Sequence, residues 1–388
     1  MSQPERLTVS FVPSMGDIDE REWNGLLGQS TPFMRWEWLN LLETSGAVQP
    51  DTGWMPLHCT VRAGDELLAA APIYVKGHGR GEFVYDQFWA DVAARLGIAY
   101  YPKLVAASPF TPVAGYRFLT APGIPEAAAC EVILGACGRL ARSNGLSGLH
   151  VLFARDSFAD MLEDAGLGAW EHQGFIWENK GYASFEDFLS VFRSGQRKNI
   201  RRERERLRQA GVRTVVVEGR DAPDSWFALM HHFYQDTNDK FGEFSCKFLP
   251  LAFFEGLPDC FRERLAFSAA FVPGKAEPAA LALLVHGNGH LYGRYWGAAE
   301  DIPFLHFELC YYCPIEWAIA KGMKDFDPGM GGEHKPRRGF TSRVVRSLHQ
   351  FHDPALTRVF AHNIGRINEL THDYIAELDA LSAFREKG

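Results

Sequence analysis

The chain has 388 residues, 46% of them hydrophobic and 23% charged, with a formal net charge of -8. That balance excludes a disordered chain and a general polyanion binder, so any phosphate or nucleic-acid contact has to come from a local basic patch. At roughly 100–200 residues per domain, the length predicts two domains.

No segment approaches the roughly 18–20 apolar residues of a membrane span, and MSQPERLTVSFVP lacks the apolar core of a signal peptide. A cytoplasmic location is the resulting expectation. The seven cysteines are odd in number and scattered, which fits reduced thiols better than a disulfide framework.

In chain order, Leu7–Val12 alternates as a strand, and Glu20–Leu27 and Arg35–Thr44 read as helices around Pro32. Trp54–Val61 and Leu67–Val75 form an expected hairpin about Ala63-Gly64-Asp65. Glu82–Leu96 is predicted helical up to Gly97, and Lys103–Ala107 a strand. Pro109 and Pro112 force a loop over 108–113. Pro125–Ser143 is a helix with proline in its first turn. Leu149–Phe153 is a buried strand, Phe158–Ala165 a short helix and Phe175–Asn179 another strand.

The element order then recurs. Phe185–Gln209 is helical, Val212–Glu218 a strand, and Trp226–Lys240 and Pro250–Arg264 are helices. Leu265–Val272, Pro278–Val285 and His290–Trp296 make a meander closed by Asn288-Gly289. His306–Lys321 is a helix, Lys324–Asp327 a strand and Pro354–Leu381 a helical tail. The doubled order places one lobe at 1–181 and a second at 182–388.

Two stretches of the second lobe concentrate the chemistry. The first, Arg193–Arg208, holds eight basic and two acidic residues. Arg197, Arg201, Arg204 and Arg208 step by four, three and four, so they share a helical face with Lys198 and Arg202 beside them. Such a face suits a phosphate-bearing ligand such as RNA, a nucleotide diphosphate or a pantetheine-type pyrophosphate. The competing reading is a solvated helix whose Glu203 and Glu205 pair locally.

The second stretch runs from His290 to Phe340. Tyr292, Arg294 and Tyr295 lie on an aromatic strand. His306 and Glu308 sit at a helix start after a proline-containing loop, where either is a candidate general base. Glu333, His334, Lys335, Arg337 and Arg338 fall in a glycine-bounded basic loop that reads as a ligand cradle. Cys310-x-x-Cys313 has no second pair to complete a zinc site, so core packing is expected and no metal site is assigned. Gly-x-Ser-x-Gly, Walker A and dinucleotide patterns are absent from the sequence.

The chain resembles the FemAB-like N-acyltransferases, relatives of the Fem aminoacyltransferases within the GNAT acetyltransferase superfamily. In lobe one the resemblance rests on Pro32-Phe33 with Trp38-Leu39, on Phe83–Trp89 and on Tyr100–Val113. In lobe two it rests on Arg197–Arg204, Leu291–Gly297, Pro303–Glu308 and Gly332–Lys335. It implies an α+β, tandem GNAT-like fold, two lobes each with a mixed, mostly antiparallel sheet flanked by helices.

By the same resemblance the activity is transfer of an acyl or aminoacyl group to an amine-bearing small molecule or peptide, in peptidoglycan precursor biosynthesis. The donor would be an acyl-CoA, an acyl-carrier protein or an aminoacyl-tRNA, with no tightly bound cofactor. One departure matters: Ala298–His306 lacks the glycine pattern of the GNAT pyrophosphate loop, which leans away from acetyl-CoA. His306, Glu308 and Lys335 are then the catalytic candidates. Arg197, Lys198, Arg201, Tyr292, Arg294, Tyr295, Glu333, His334 and Arg337 are candidates for holding donor or acceptor. The alternative is a non-catalytic module recognising a peptidoglycan precursor or RNA. No sequence feature fixes the oligomeric state.

Overall fold

A computed structural model describes residues 7–242 and 245–385. The chain divides into two compact units, Met1–His172 with Val344–His372, and Gln173–Arg343 with Asp373–Gly388. The division is thus not a single cut near residue 181, because 344–372 returns to unit 1.

The strands in chain order are β1 (Leu7–Val12), β2 (Trp54–Pro56), β3 (His58–Ala63), β4 (Glu66–Ala71), β5 (Ile73–Lys76), β6 (Lys103–Ala106), β7 (Leu119–Thr120), β8 (Gly148–Ala154), β9 (Gly168–Glu178), β10 (Arg213–Glu218), β11 (Leu265–Phe271), β12 (Ala280–Gly287), β13 (His290–Ala298), β14 (Asp325–Asp327) and β15 (Thr341–Phe351). The α-helices are α1 (Glu20–Gly25), α2 (Trp36–Thr44), α3 (Gln87–Arg95), α4 (Glu126–Ser143), α5 (Asp156–Asp164), α6 (Phe185–Ser190), α7 (Ser194–Gln209), α8 (Ser225–Asp239), α9 (Leu251–Cys260), α10 (Leu305–Phe307), α11 (Cys313–Ala320) and α12 (Pro354–Ala380). Among the described residues no helix is long and apolar enough to cross a membrane.

Unit 1 holds the sheet β1-β3-β4-β7 and the strands β2-β5-β6-β8-β15. Pro72, which has no N–H to give a ladder, separates β4 from β5, so the expected long hairpin splits between two sheets. In unit 2 the order is β10-β11-β12-β13-β14-β9. Both units follow one plan: an antiparallel run, one parallel pair across a helical crossover, then an antiparallel closing strand. The parallel pairs are β6 with β8 around α4, and β13 with β14 around α10 and α11. This is the mixed, mostly antiparallel arrangement expected from the sequence.

Local physics moves several boundaries. The helix expected at Glu82 begins only at Gln87, because Glu82 and Asp86 are drawn inside to the buried ammonium of Lys103. The helix expected over 185–209 breaks at Val191–Arg193, where the Phe192 ring turns into the core against Phe188. β15 was not expected as a strand at all. It pairs antiparallel with β8 from Phe351↔Gly148 to Arg346↔Ala154.

Close backbone approach fixes one glycine in unit 2. A Cβ on Gly297 of β13 would lie 2.3 Å from the Phe233 carbonyl oxygen of α8. Gly297→Ala must push α8 off the sheet, and a loss of about 1–3 kcal/mol is expected. The check is the thermal midpoint, which should fall clearly below that of the parent; an unchanged midpoint would contradict this packing.

Candidate functional site

Parallel pairing of β13 with β14 covers only His290↔Asp325, Leu291↔Phe326 and Tyr292↔Asp327. Beyond it the chain leaves β14 through Pro328 and a loop with positive φ at Gly329, Gly331 and Gly332. The two chains therefore part, and a cleft of about 460 Å³ opens between them.

On the β13 side the cleft is lined by Gly293, Arg294, Tyr295 and Trp296. Here the ladder with β12 is broken. Leu283 stands opposite Tyr295 and Leu284 opposite Gly293, so Arg294 is one residue too many. Such a bulge takes its residue out of the ladder and re-aims backbone and side chain.

The crossover helix supplies the second wall. Pro314 cannot donate to a preceding carbonyl, and its ring excludes the ordinary i−4 contact. The turn before it, Glu308–Tyr312, is accordingly a π-helical turn. The widened turn sends Cys310 and Tyr311 into the cleft beside His306. Cys313 goes elsewhere, its Sγ 3.1 Å from Glu308 Oε1. The two cysteines thus face different surroundings.

The glycine loop forms the third wall through His334 and Lys335. Lys335 is 2% exposed, and its ammonium donates to the carbonyls of Gly329 (2.7 Å) and Met330 (3.2 Å). Burial brings its pKa down to about 8, with Asp327 partly opposing. His306 and His334 are each lowered to about 4, by burial first and then by neighbouring positive charge. Both rings are neutral at pH 7. His334 Nε2 lies 2.9 Å from the Tyr311 hydroxyl. The site therefore joins a neutral imidazole, an ammonium that titrates near neutrality and apolar walls.

Of the residues singled out in the sequence, His306, Lys335, Arg294, Tyr295 and His334 come together in this cleft. Tyr292 is buried in the paired part of β13. Glu333 and Arg337 are exposed. Glu308 is 3% exposed and does not line the cleft; Arg204 Nε reaches it at 3.0 and 3.1 Å and Nη2 at 2.9 Å. Its carboxylate is engaged in holding α7.

The basic helix is two-sided. Glu203 and Arg204 turn inward, whereas Lys198, Arg201, Arg202, Arg206 and Arg208 are exposed. Arg197 donates to the Ser190 carbonyl (3.4 Å). Arg201, Arg202, Arg204 and Arg208 line a separate recess of about 450 Å³, which shares no lining residue with the cleft. The sequence reading missed Trp296 and Tyr311 as cleft walls. Nothing in a string of aromatics marks which rings line a cavity.

A family model described as peptidoglycan biosynthesis/recognition, FemAB-like, matches residues 14–386. The chain belongs to the FemAB-like family. No curated protein sequence matches it. Among solved structures, this FemAB-like protein is similar to FemX at 11% identity and a TM-score of 0.53, over 88% of this chain and 98% of that one. It is also similar to the C-terminal domain of a putative lysylphosphatidylglycerol synthetase from Agrobacterium fabrum. There the identity is 13% and the TM-score 0.52, over 90% of this chain and 97% of that one. A conserved protein of unknown function from Bacteroides thetaiotaomicron VPI-5482 gives 10% and 0.53, over 89% and 99%. The likeness is one of fold, and the fold is the tandem one expected of the family.

The two faces of the basic helix should separate in a stability measurement. Arg204→Ala strands the Glu308 carboxylate in the interior, and a loss of about 3–5 kcal/mol is expected. Arg201→Ala removes an ion pair with Glu186 whose side chains are 52% and 63% exposed, and should change stability by less than about 0.5 kcal/mol. Denaturant midpoints of the two variants decide this; equal losses would mean that Arg204 does no more than Arg201.

Proposed function

We propose that this protein is an N-acyltransferase that uses the unit 2 cleft to pass an acyl group from an activated donor to an amine. The supporting observation is the convergence of His306 and Lys335 on one cavity beside a bulged strand. The amine nitrogen attacks the donor carbonyl, the C–N bond forms and the C–O or C–S bond to the leaving group breaks. His306, held neutral, takes the proton that the amine loses. Lys335, as ammonium, stabilises the oxygen of the tetrahedral intermediate. The neighbouring Arg294 and Tyr295 would orient the donor, and His334 with Tyr311 would fix the wall that carries the lysine.

The family description supports an acceptor from peptidoglycan metabolism, an amine-bearing precursor. The exposed cations Lys198, Arg201 and Arg202, with Arg197, would hold a phosphate-bearing part of donor or acceptor. An acyl-CoA, an acyl-carrier protein and an aminoacyl-tRNA each carry such a part.

Incubation with each donor class and a panel of amines, read by mass spectrometry, tests the reading. A new amide mass is expected. Tight, salt-sensitive binding of precursor or RNA with no product would favour a recognition module instead. With the productive pair, Lys335→Met should cost on the order of 10²-fold or more in turnover, and His306→Ala on the order of 10²–10⁴-fold.

The pH profile follows from the same assignment. Lys335 works protonated, so turnover falls as pH rises through about 8. His306 works neutral, so turnover is kept down to about 4 before protonation removes the base. A profile whose acid limb lies near the ordinary histidine value of 6.5 would remove His306 from this role.

A further inference from the structure

Lys335 and His334 hang from a loop with positive φ at four glycines, Gly329, Gly331, Gly332 and Gly339. Glycine loops of this kind carry high backbone entropy, so something must hold this one in a single geometry. One tie is Arg338, which is 6% exposed. Its Nη1 donates to the His334 carbonyl at 3.1 Å. Its guanidinium lies 3.4 Å from the centre of the Phe307 ring on the crossover helix. Its Nη2 reaches Glu203 Oε1 and Oε2 at 3.3 and 3.4 Å.

Glu203 is an inward-facing residue of the basic helix, 8% exposed, and it also accepts from the Tyr312 hydroxyl at 2.5 Å. A buried carboxylate among arginines is costly unless paired. Here it neutralises a guanidinium that grips the lysine loop. One residue on, Arg204 grips Glu308 at the π-helical turn. Two neighbouring residues of α7 thus fix two walls of the cleft, through opposite charges.

We propose that Glu203 and Arg338 are positioning residues, a buried ion pair through which α7 sets the geometry of His334 and Lys335 for acyl transfer. The proposal deepens the acyltransferase reading and rests on it. Arg338 touches no reacting atom in this scheme. It acts by fixing the His334 carbonyl and by placing a permanent positive charge against His306 and His334, beside that of Lys335. A structural pair alone would affect stability and nothing else.

The experiment uses the full chain and the variants Arg338→Met, Arg338→Lys, Glu203→Gln and the double variant Glu203→Met/Arg338→Met. The histidine ring titrations are followed by NMR, with His306→Asn and His334→Asn assigning the signals. Burial is the first cause of both lowered values and stays in the variant, so Arg338→Met should raise the His334 midpoint above about 4, with a smaller rise at His306, where Arg338 is the weakest of the neighbouring cations. Arg338→Lys, which keeps the charge, should leave the midpoints near those of the parent. With a productive donor and amine, Arg338→Met and Glu203→Gln should lower kcat by about 10²-fold with KM nearly unchanged, as expected of misplacement.

The double variant replaces the pair by apolar volume and keeps the fold measurable if a single variant unfolds. It should show the raised midpoints and the low kcat at a thermal midpoint close to the parent's. An unmoved His334 midpoint in a folded Arg338→Met or double variant overturns the proposal. So does full turnover in the double variant. The titrations need no substrate, so they judge the ion pair separately from the transfer assay that judges the acyltransferase reading.

Discussion

Parallel pairing between β13 and β14 stops after three residues, and the cleft of unit 2 opens where it stops. The strands cannot stay paired because Pro328 ends the ladder on one side and the bulge at Arg294 distorts it on the other. Two chains that part within a sheet leave backbone and side chains facing a gap that needs filling. In unit 1 the same plan ends differently. Past Ala106 of β6, the place beside β8 is taken by Gly115 and Tyr116, whose N–H groups both donate to the Phe153 carbonyl, at 2.9 and 3.0 Å. The Tyr116 ring is buried there and its hydroxyl reaches the Pro72 carbonyl. One unit fills its gap with its own chain, and the other leaves a cleft of about 460 Å³.

Both units bury ions, and in each the pairs decide backbone conformation as well as charge. In unit 1 the Lys103 ammonium bridges Glu82 (2.8 Å) and Asp86, and the Tyr100 hydroxyl donates to Asp86. Burial pushes Glu82 up to about 7 and brings the nearby Lys76 down to about 7. The segment that delivers these carboxylates holds Phe83 and Tyr85 at φ of 63° and 52°. Aromatic residues adopt that region only when the surroundings compel it. In unit 2 the corresponding compulsion comes from Glu203 and Arg204, which fasten the basic helix to the walls of the cleft.

Composition, period and turn chemistry carried most of the architecture. The meander over 265–298 and the helix over 126–143 follow from apolar periodicity and from Asn288-Gly289, signals that a neighbour in space does not alter. What escaped was set by tertiary contact. β15 reads TSRVVRSLHQF, a mixed pattern in which Arg343 and Arg346 break the alternation. Arg343 pairs with Asp327, 16 residues back, and Arg346 with Asp160 and Glu163 of a helix early in the chain. The helix expected from Glu82 failed for the same reason. The site was half legible. A histidine after a proline loop and a lysine in a glycine loop are conspicuous locally. Arg337 and Arg338, by contrast, are adjacent and chemically identical, and only the fold makes one solvated and the other buried. The arginine face of α7 was legible as a face, but Arg204 turns inward because it meets Glu308, more than a hundred residues on.

The choice of cations around the cleft has its own logic. An ammonium gives up its proton when burial is severe enough, whereas a guanidinium does not within the range of folded proteins. Lys335, nearly enclosed and satisfied by two carbonyls, is therefore the group whose charge is conditional. Arg338 beside it is the fixed charge, and it needs the buried carboxylate of Glu203 to be tolerated there. Burial first, and the two cations after it, keep the neighbouring imidazoles from competing for the proton. Exchanging the two residue types would invert the arrangement. The conditional charge would then sit against Phe307 and the permanent one at the glycine carbonyls. The electrostatics of the site depend on which cation stands at which position as much as on how many there are.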